Sequence, residues 1–560
     1  MIIAKLQMFL LWFALLSQCL SISGCNLAYP NFPAFSHSNC LARLGQYPSL
    51  KDATIDMLME GLGSRQFTSV DLVRAYLKRI REVNDTLHVV TEINPDALDI
   101  AAELDAERSA GLIRGPLHGI PILIKNNIAT NDKMDTTAGS YVLLGAKVPR
   151  DSTIASKLRA AGAVILGKAN LSQWANYRSS NSANGWSALG GQVYGVYYPG
   201  QDPSGSSSGS GVASSIGLAA ASIGTETDGS IVSPSSENSV VGIKPTVGLT
   251  SRSLVVPISE HQDTIGPMAR TVKDAAIVLQ AIAGVDPYDN YTSAIPNRGI
   301  LPDYVAACQL AALAGARIGI PRNAIVLAAD KSQFAAFEEA VGVLRTAGAV
   351  IVENTNFTAA AEFLKSNAET QVLNADFPVN LASYLALLTK NPNNATSLAD
   401  VRKFTQTFPL EDFPERNTDI WDDIIFKQGW NNTDPRFWAA YQRDLYYGGE
   451  GGLLGAIERY RLDAVVIPTD WTSPFAAVIG APIVTVPLGY YPSNTPVKRN
   501  SWGLVTDGPN LPFGISFMGA KFTEAKLIGL AYAFEQRTKT RDRGRPYIVP
   551  STELIDVVGY

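Results

Sequence analysis

Residues 202–230 read DPSGSSSGSGVASSIGLAAASIGTETDGS and place two serines among glycines, Ser206 and Ser230, 24 positions apart. Ser206 lies in a Gly/Ser loop that opens a stretch, 212–221, whose composition predicts a helix. Ser230 ends a run in which a strand is expected to give way to a tight turn. Glycine admits positive φ, and consecutive backbone N–H groups that face one point stabilise an anion. A serine beside such a turn is placed for acyl transfer.

A candidate base lies upstream, where the apolar run PILIK at 121–125 ends in Lys125. A buried strand with this pattern delivers one charged side chain to the end of a sheet. Burial disfavours the charged ammonium and lowers its pKa, so a lysine there can be neutral and act as a base.

Lys125, the serine pair 206–207 and the turn that ends at Ser230 resemble the amidase signature family in order and spacing. The resemblance runs from about residue 52 to 546. It includes LHGIP at 117–121, GAVILGKANLSQW at 162–174, VGIKPT at 241–246, APIVTVP at 481–487 and PFGISF at 512–517.

Within that family the chain is most similar to the secreted peptide-amidase branch, through WANYRS at 174–179, QDT at 262–264 and TDGSIV at 227–232. Three features depart from the family pattern. Asn126 stands where aspartate is usual, Val232 stands where arginine is common, and SGSSSG at 204–209 replaces the commoner GGSSGG. None of them replaces a triad member, so they bear on pocket shape rather than on the chemistry.

The resemblance implies a Ser-cisSer-Lys triad. Ser230 would be the nucleophile, Ser206 would relay protons after a cis Gly205–Ser206 peptide, and Lys125 would be the base that starts neutral. The resemblance also implies an oxyanion hole and substrate contacts, formed by Thr227, Asp228, Gly229, Ser230, Ser206 and Ala175.

Other readings of these motifs are weaker. GSSSG at 205–209 fits the nucleophile elbow of α/β-hydrolases with Ser207 as nucleophile, but only His261 follows it and no acid is suitably placed. The stretch 162–168 resembles a phosphate-binding loop, but Ala169 stands where serine or threonine must hold magnesium. A buried strand is the better interpretation.

Metal chemistry has little support in the sequence, because its histidines show no paired spacing and it has no CxxC motif. We therefore expect no metal and no cofactor. His118 and His261 lie in motifs that could line the pocket. Lys168 and Lys244 are expected to be surface or structurally paired lysines. The four histidines are His37, His88, His118 and His261.

The composition suits a large enzyme core. Of 560 residues, 46% are hydrophobic and only 17% are charged, against the usual quarter. The net charge is −5 and no basic stripe is present, so nucleic acid is not an expected partner. The resemblance implies a single α/β amidase-signature domain with a central mixed β-sheet covered by helices and a helical insertion at about 357–447.

Local patterns support the α/β alternation. Thr68 or Ser69 is expected to cap a helix, and the late strands are expected at 464–467, 483–486 and 513–517, before a closing helix at 525–536. The insertion carries aromatic residues that are expected either to wall the substrate site or to pack the helices together. They are Trp421, Trp430, Trp438, Tyr441, Tyr446 and Tyr447.

The N-terminal sequence predicts the cellular location of the protein. Lys5 precedes an apolar stretch at 8–20 that small residues follow, which is the layout of a secretory signal peptide over 1–24. An arm at 25–50, the amidase domain at 51–546 and a tail at 547–560 complete the predicted organisation. The apolar stretch is too short for a stable membrane span, although an uncleaved anchor or a lipoprotein box at 22–25 stays open.

Six sequons suit a secreted glycoprotein, although Asn170 adjoins a core strand and is expected to be unused. A disulfide between Cys25 and Cys40 is expected, with Cys308 free. The sequons are Asn84, Asn170, Asn290, Asn356, Asn394 and Asn431.

These observations predict a secreted serine amidase that hydrolyses neutral small-molecule carboxamides, with C-terminal amides of short peptides as the narrower expectation. The alternatives are a glutaminase like the catalytic chain of a tRNA-dependent amidotransferase, an esterase on the same scaffold, and a non-catalytic binding protein. The acyl group and the oligomeric state stay open.

Overall fold

The structure, a computed structural model, describes residues 47–325 and 331–559. The predicted signal peptide and the Cys25–Cys40 disulfide lie outside the described residues.

A mixed sheet forms the centre of the domain. Its eleven described strands are ordered β1-β3-β2-β4-β6-β5-β10-β11-β9-β7-β8. The strands are β1 Val90–Ile93, β2 Pro121–Lys125, β3 Val164–Ala169, β4 Ala221–Glu226, β5 Val241–Lys244, β6 Thr264–Ala269, β7 Arg317–Ile320, β8 Val350–Glu353, β9 Ala464–Pro468, β10 Ile483–Tyr490 and β11 Pro512–Met518.

Both pairing directions occur in the sheet. β2 runs parallel to β3 and β4, and β7 runs parallel to β8 and β9. β6 pairs antiparallel with β4 and β5, and the β10–β11 pair is antiparallel too. Two short ribbons lie outside this sheet, Trp186–Ser187 with Gly191–Gln192 and Lys498–Arg499 with Val505–Asp507.

Helices cover the sheet, as the fold prediction required. They are α1 Ile55–Gly63, α2 Ser69–Leu87, α3 Ala97–Ser109, α4 Thr153–Ala160, α5 Ser208–Ile216, α6 Val232–Glu237, α7 Val272–Ile282, α8 Arg322–Ile325, α9 Lys331–Thr346, α10 Ala360–Phe363, α11 Ala368–Ala386, α12 Leu398–Thr407, α13 Asp419–Asp422, α14 Pro435–Gly448, α15 Leu453–Tyr460, α16 Ser473–Ala477 and α17 Glu524–Thr538. The helices α10–α14 lie in the chain between β8 and β9, where the insertion was predicted.

The start of α2 follows from its sequence. Thr68 is the N-cap residue, and its side chain and that of Asp71 form a reciprocal capping box. One apolar face of this helix, which includes Leu72, Tyr76 and Ile80, is buried in the core.

The helix predicted over 212–221 is shifted in the structure. It occupies Ser208–Ile216 and ends at Gly217, whose φ of 68° is left-handed. A Cβ atom at Gly217 would lie 2.3 Å from the carbonyl oxygen of Leu50, so glycine permits both the turn and the close approach. The left-handed Gly217 ends the helix, and the alanines that follow lead into β4, which is completely buried.

Lys168 and Lys244 are fully buried, so a surface position is wrong for both. Each has a structural partner. Lys168 Nζ donates to the carbonyl of Ile128 at 2.6 Å, and Lys244 Nζ donates to the carbonyl of Ala481 at 2.7 Å.

Candidate active site

Lys125 ends β2 with its ammonium group completely buried. Its Nζ lies 2.8 Å from Ser206 Oγ and 3.0 Å from Ser207 Oγ. It also lies 2.9 Å from Thr225 Oγ1 and 3.0 Å from the Thr225 carbonyl oxygen, at the end of β4. Because β2 and β4 are parallel neighbours, the end of one strand meets the end of the other and the loop that leads to Ser206.

Burial lowers the pKa of Lys125 to about 7. Two carboxyl groups, Glu226 and Asp263, act in the opposite direction. Desolvation dominates, so a substantial fraction of this lysine is neutral near pH 7.

The Gly205–Ser206 peptide is cis, and Ser206 is fully buried. The carbonyl of Ser206 accepts a hydrogen bond from the amide of Ser172 at 3.1 Å. The amide of the next residue, Ser207, donates to the carbonyl of Ser230 at 3.1 Å. The serine loop and the turn that holds Ser230 are therefore joined directly.

Ser207 has a structural role that the sequence did not indicate. Its Oγ donates to the Thr225 carbonyl oxygen at 3.1 Å and accepts from the Thr225 amide at 3.2 Å. Ser207 therefore ties its loop to β4 while it contacts Lys125, and its hydroxyl proton is engaged. The nucleophile-elbow interpretation would require that proton to face a histidine.

Ser230 lies at the end of a turn between β4 and α6 and is 7% exposed. Gly229, immediately before it, has a φ of +79°, which a side chain would strain. Within the described part of the chain, none of the amides from Thr227 to Ser230 donates a hydrogen bond to another group. The hydrogen-bonding capacity of these four N–H groups is therefore unused within the described structure.

Glu226 holds the other side of this turn. Its buried Oε2 accepts from the amides of Ile231 and Val232 at 2.6 and 2.9 Å. Burial raises the pKa of Glu226, whereas the nearby Lys244 lowers it. The amide of Val232 is therefore used for support, although its side chain lacks the charge common in relatives.

Ala175 lies in a short helical turn, Gln173–Asn176. Trp174, Ala175 and Asn176 all have positive φ, at 53°, 55° and 70°. Consecutive left-handed residues other than glycine are costly and concentrate at functional sites. Ala175 also borders a cavity of about 20 Å³ with Thr225, Thr227 and Asp263, which places it beside the predicted site.

The remaining predicted pocket residues are structural in part. His118 is buried, and its Nε2 lies 2.9 Å from the carbonyl oxygen of Leu104. His261 Nδ1 lies 2.7 Å from Asp376 Oδ2. Asn126 accepts from the amide and the hydroxyl of Thr137 at 2.7 and 2.8 Å, so the replaced aspartate is compensated by local hydrogen bonds.

The aromatic residues of the insertion divide into two groups. Trp421 is buried, packs edge-on against Trp174 with ring centroids 5.9 Å apart, and donates to the Tyr177 carbonyl. Trp438 and Tyr446 are 60% and 43% exposed. Helix packing therefore accounts for Trp421, which also supports the turn that carries Ala175.

Comparison with known proteins places this geometry in a family. The model of the family named Amidase matches residues 71–444. A protein of Arthroderma benhamiae that is called an amidase is 54% identical over 529 residues, which cover 90% of this chain and 89% of that protein. The chain belongs to the amidase family and is an amide-hydrolysing enzyme.

The chain is also similar to a solved structure and to a second relative. The native peptide amidase from Stenotrophomonas maltophilia superposes with a TM-score of 0.78 at 38% identity, over 90% of this chain and 99% of that chain. One component of the glutamyl-tRNA(Gln) amidotransferase of Thermosynechococcus vestitus is 31% identical, over 87% of this chain and 98% of that protein. Among the described residues, no helix is both long and apolar enough to cross a membrane.

Proposed function

We propose that this enzyme is a secreted serine amidase that cleaves primary carboxamides through an acyl-enzyme on Ser230. Lys125 is the base and Ser206 is the proton relay. The observation that carries the proposal is the buried contact of 2.8 Å between Lys125 Nζ and Ser206 Oγ, in a loop bonded to Ser230.

The hydrogen bonds are compatible with a neutral lysine, which has two protons to donate and one lone pair to accept one. Ser207 commits its hydroxyl proton to the Thr225 carbonyl, so the hydroxyls of Ser206 and Thr225 are the two groups that can donate to the lone pair. Of these two residues, Ser206 lies in the loop whose next amide is bonded to the carbonyl of Ser230, so we assign the proton transfer to Ser206.

The reaction then follows with balanced protons. Lys125 takes the proton of Ser206 as Ser206 takes that of Ser230, and Ser230 Oγ forms a bond to the carboxamide carbon. The amides of residues 227–230 hold the developing oxyanion. The proton returns through Ser206 to the leaving nitrogen, the C–N bond breaks and ammonia departs. Water repeats the cycle on the ester and releases a carboxylic acid.

The narrower substrate is a C-terminal amide of a short peptide. Its support is the 38% identity to a solved peptide amidase over nearly the whole of that chain. Peptide amides, glutamine and aryl esters of matched acyl group should be compared by ammonia or alcohol release. Faster turnover of glutamine would favour a glutaminase, and turnover of esters alone would make the enzyme an esterase.

The nucleophile can be tested independently of the substrate. A fluorophosphonate should form one adduct, on Ser230, and Ser230→Ala should abolish it. An adduct on Ser207 would instead support the nucleophile elbow. Activity should also survive EDTA, and a loss that zinc restores would overturn the metal-free mechanism.

Secretion is proposed from the N-terminal sequence alone. The mature chain should begin near residues 24–27 and carry glycans on exposed sequons. N-terminal sequencing of the protein from its native host tests this, and an intact Met1 on an unglycosylated cytosolic product would contradict it.

A further inference from the structure

Asp263 is a buried carboxylate that binds the turn carrying Ser230. Its Oδ1 accepts from the hydroxyl of Thr227 at 2.6 Å. Its Oδ2 accepts from the amides of Ile258 and Ser259 at 2.7 and 3.1 Å. One side chain thus closes the loop 258–263 on itself and fastens it to the first residue of the predicted oxyanion hole.

The same loop is held from its other side by α11 of the insertion. Asp376 Oδ2 accepts from Ser259 Oγ at 2.6 Å and lies 2.7 Å from His261 Nδ1. Gln262 Nε2 donates to Glu369 at 2.9 Å. Because the loop is fixed by these contacts, Asp263 can impose a position on Thr227 instead of merely following it.

Asp263 also acts on the predicted base. Its charge and that of Glu226 are the two that raise the pKa of Lys125 against the effect of burial. Burial raises the pKa of Asp263 itself to about 6, so the carboxylate is charged over most of the range in which Lys125 titrates. Arg252 faces Asp263, but its guanidinium is paired with Asp289 at 2.6 Å.

We infer that Asp263 is a positioning residue of the amidase reaction, which fixes the nucleophile turn through Thr227 and acts on Lys125 through its charge. The inference rests on the proposed function. Asp263 touches neither reacting atoms nor substrate in this role, so its effect should fall on kcat and on the pH profile rather than on KM.

Two substitutions separate the two parts of this role. Asp263→Asn keeps the shape but removes the charge and replaces one acceptor oxygen with an NH2 donor, so we expect kcat to fall by about 10- to 100-fold. The limb on which activity rises with pH should move to lower pH, because the protonated form of Lys125 loses a favourable partner. Thr227→Val removes only the hydroxyl, so kcat should fall while the limb stays in place, and Thr227→Ser should restore kcat.

Asp274→Asn is the matched control. Asp274 is also buried, its pKa is likewise raised to about 6, and it accepts from the amide of Ile55 at 2.8 Å, but no hydrogen bond among the described residues joins it to the turn. We expect this variant to keep the wild-type kcat and limb. Thermal unfolding of every variant shows whether it is folded. If Asp263→Asn does not fold, Thr227→Val and Thr227→Ser still test the positioning role.

Specific outcomes overturn the inference. If folded Asp263→Asn has the wild-type kcat and the wild-type pH profile, Asp263 has no role in the reaction. If Thr227→Val moves the rising part of the pH profile as far as Asp263→Asn does, the shift reflects a general distortion of the turn and not the charge of Asp263. Lys125→Ala, measured in parallel, isolates the proposed function: if that variant retains amide hydrolysis, the triad assignment fails whatever Asp263 does.

Discussion

Lys125 is the last residue of β2 and Lys168 is the penultimate residue of the adjacent parallel strand β3; the two are equally buried, yet their surroundings differ. Burial lowers the pKa of each to about 7. Lys125 meets the hydroxyls of Ser206 and Ser207. Lys168 Nζ donates to the Ile128 carbonyl and the Thr136 hydroxyl, and no hydrogen bond among the described residues joins it to the Ser230 turn. A lowered pKa therefore does not make a lysine a base, because catalysis also needs a hydroxyl that passes protons to a nucleophile.

The largest expected effect separates these two lysines directly. Lys125→Ala should lower kcat/KM for a carboxamide by about a thousandfold or more, because base and relay act as one unit. Steady-state ammonia release measures it, with circular dichroism as the check on folding. Near-normal hydrolysis by folded Lys125→Ala at every pH would show that another group is the base.

The pH dependence follows from the sign of the pKa shift. Lys125 must be neutral to accept a proton, so activity should rise about tenfold per pH unit below its pKa of about 7 and level off above it. A profile of kcat/KM between pH 5 and 9 measures this. A profile that is flat across pH 7 would contradict the assignment of Lys125 as the base. If Asp263→Asn moves the rising part of the profile and Thr227→Val does not, that assignment is strengthened.

A third buried lysine, Lys244, gives a smaller effect. It lowers the pKa of Glu226, the carboxylate that holds the amides of Ile231 and Val232. Lys244→Met should raise the pKa of Glu226, because the ionised carboxylate loses a nearby positive charge, and should reduce kcat by about tenfold. Because a carboxyl group with a raised pKa is more fully ionised at higher pH, activity relative to wild type should improve as pH rises. A loss that is constant with pH would point to simple misfolding around Ala481.

The elements that local patterns define were predictable. Strand β2 and its terminal lysine follow from the run PILIK, and the cap of α2 follows from Thr68 and Asp71. The resemblance to the family predicted that Lys125 pairs with Ser206, and in the structure Lys125 Nζ lies 2.8 Å from Ser206 Oγ.

Contacts between distant parts of the chain were not predictable. Asp263 reaches Thr227, 36 residues away in the sequence, because β4 and β6 pair antiparallel with Glu226 opposite Thr264. The end of α5 was misplaced because the alanines after Gly217 favour a helix locally but lie in a bend that leads into the buried strand β4, whose first residue is Ala221. Lys168 was expected to be exposed or paired, and a sequence alone does not say how completely a strand end is covered.

The smallest expected effect on activity is that of Lys168→Met, which should keep kcat/KM within about twofold of wild type, since neither hydrogen bond of Lys168 Nζ in the described structure goes to the serine loop or the turn. Its effect belongs to stability instead. The folded-state pKa of Lys168, about 7, lies below its ordinary value of 10.5, so between these values the unfolded chain binds one proton more than the folded one. Wild-type stability therefore rises with pH in that window, and the variant should lose about 1.4 kcal/mol per pH unit of that rise. Urea unfolding at pH 7.5, 8.5 and 9.5 measures both slopes. Equal slopes would show that Lys168 stays charged when buried. A large loss of activity would show that Lys168, like Lys125, is needed for the reaction.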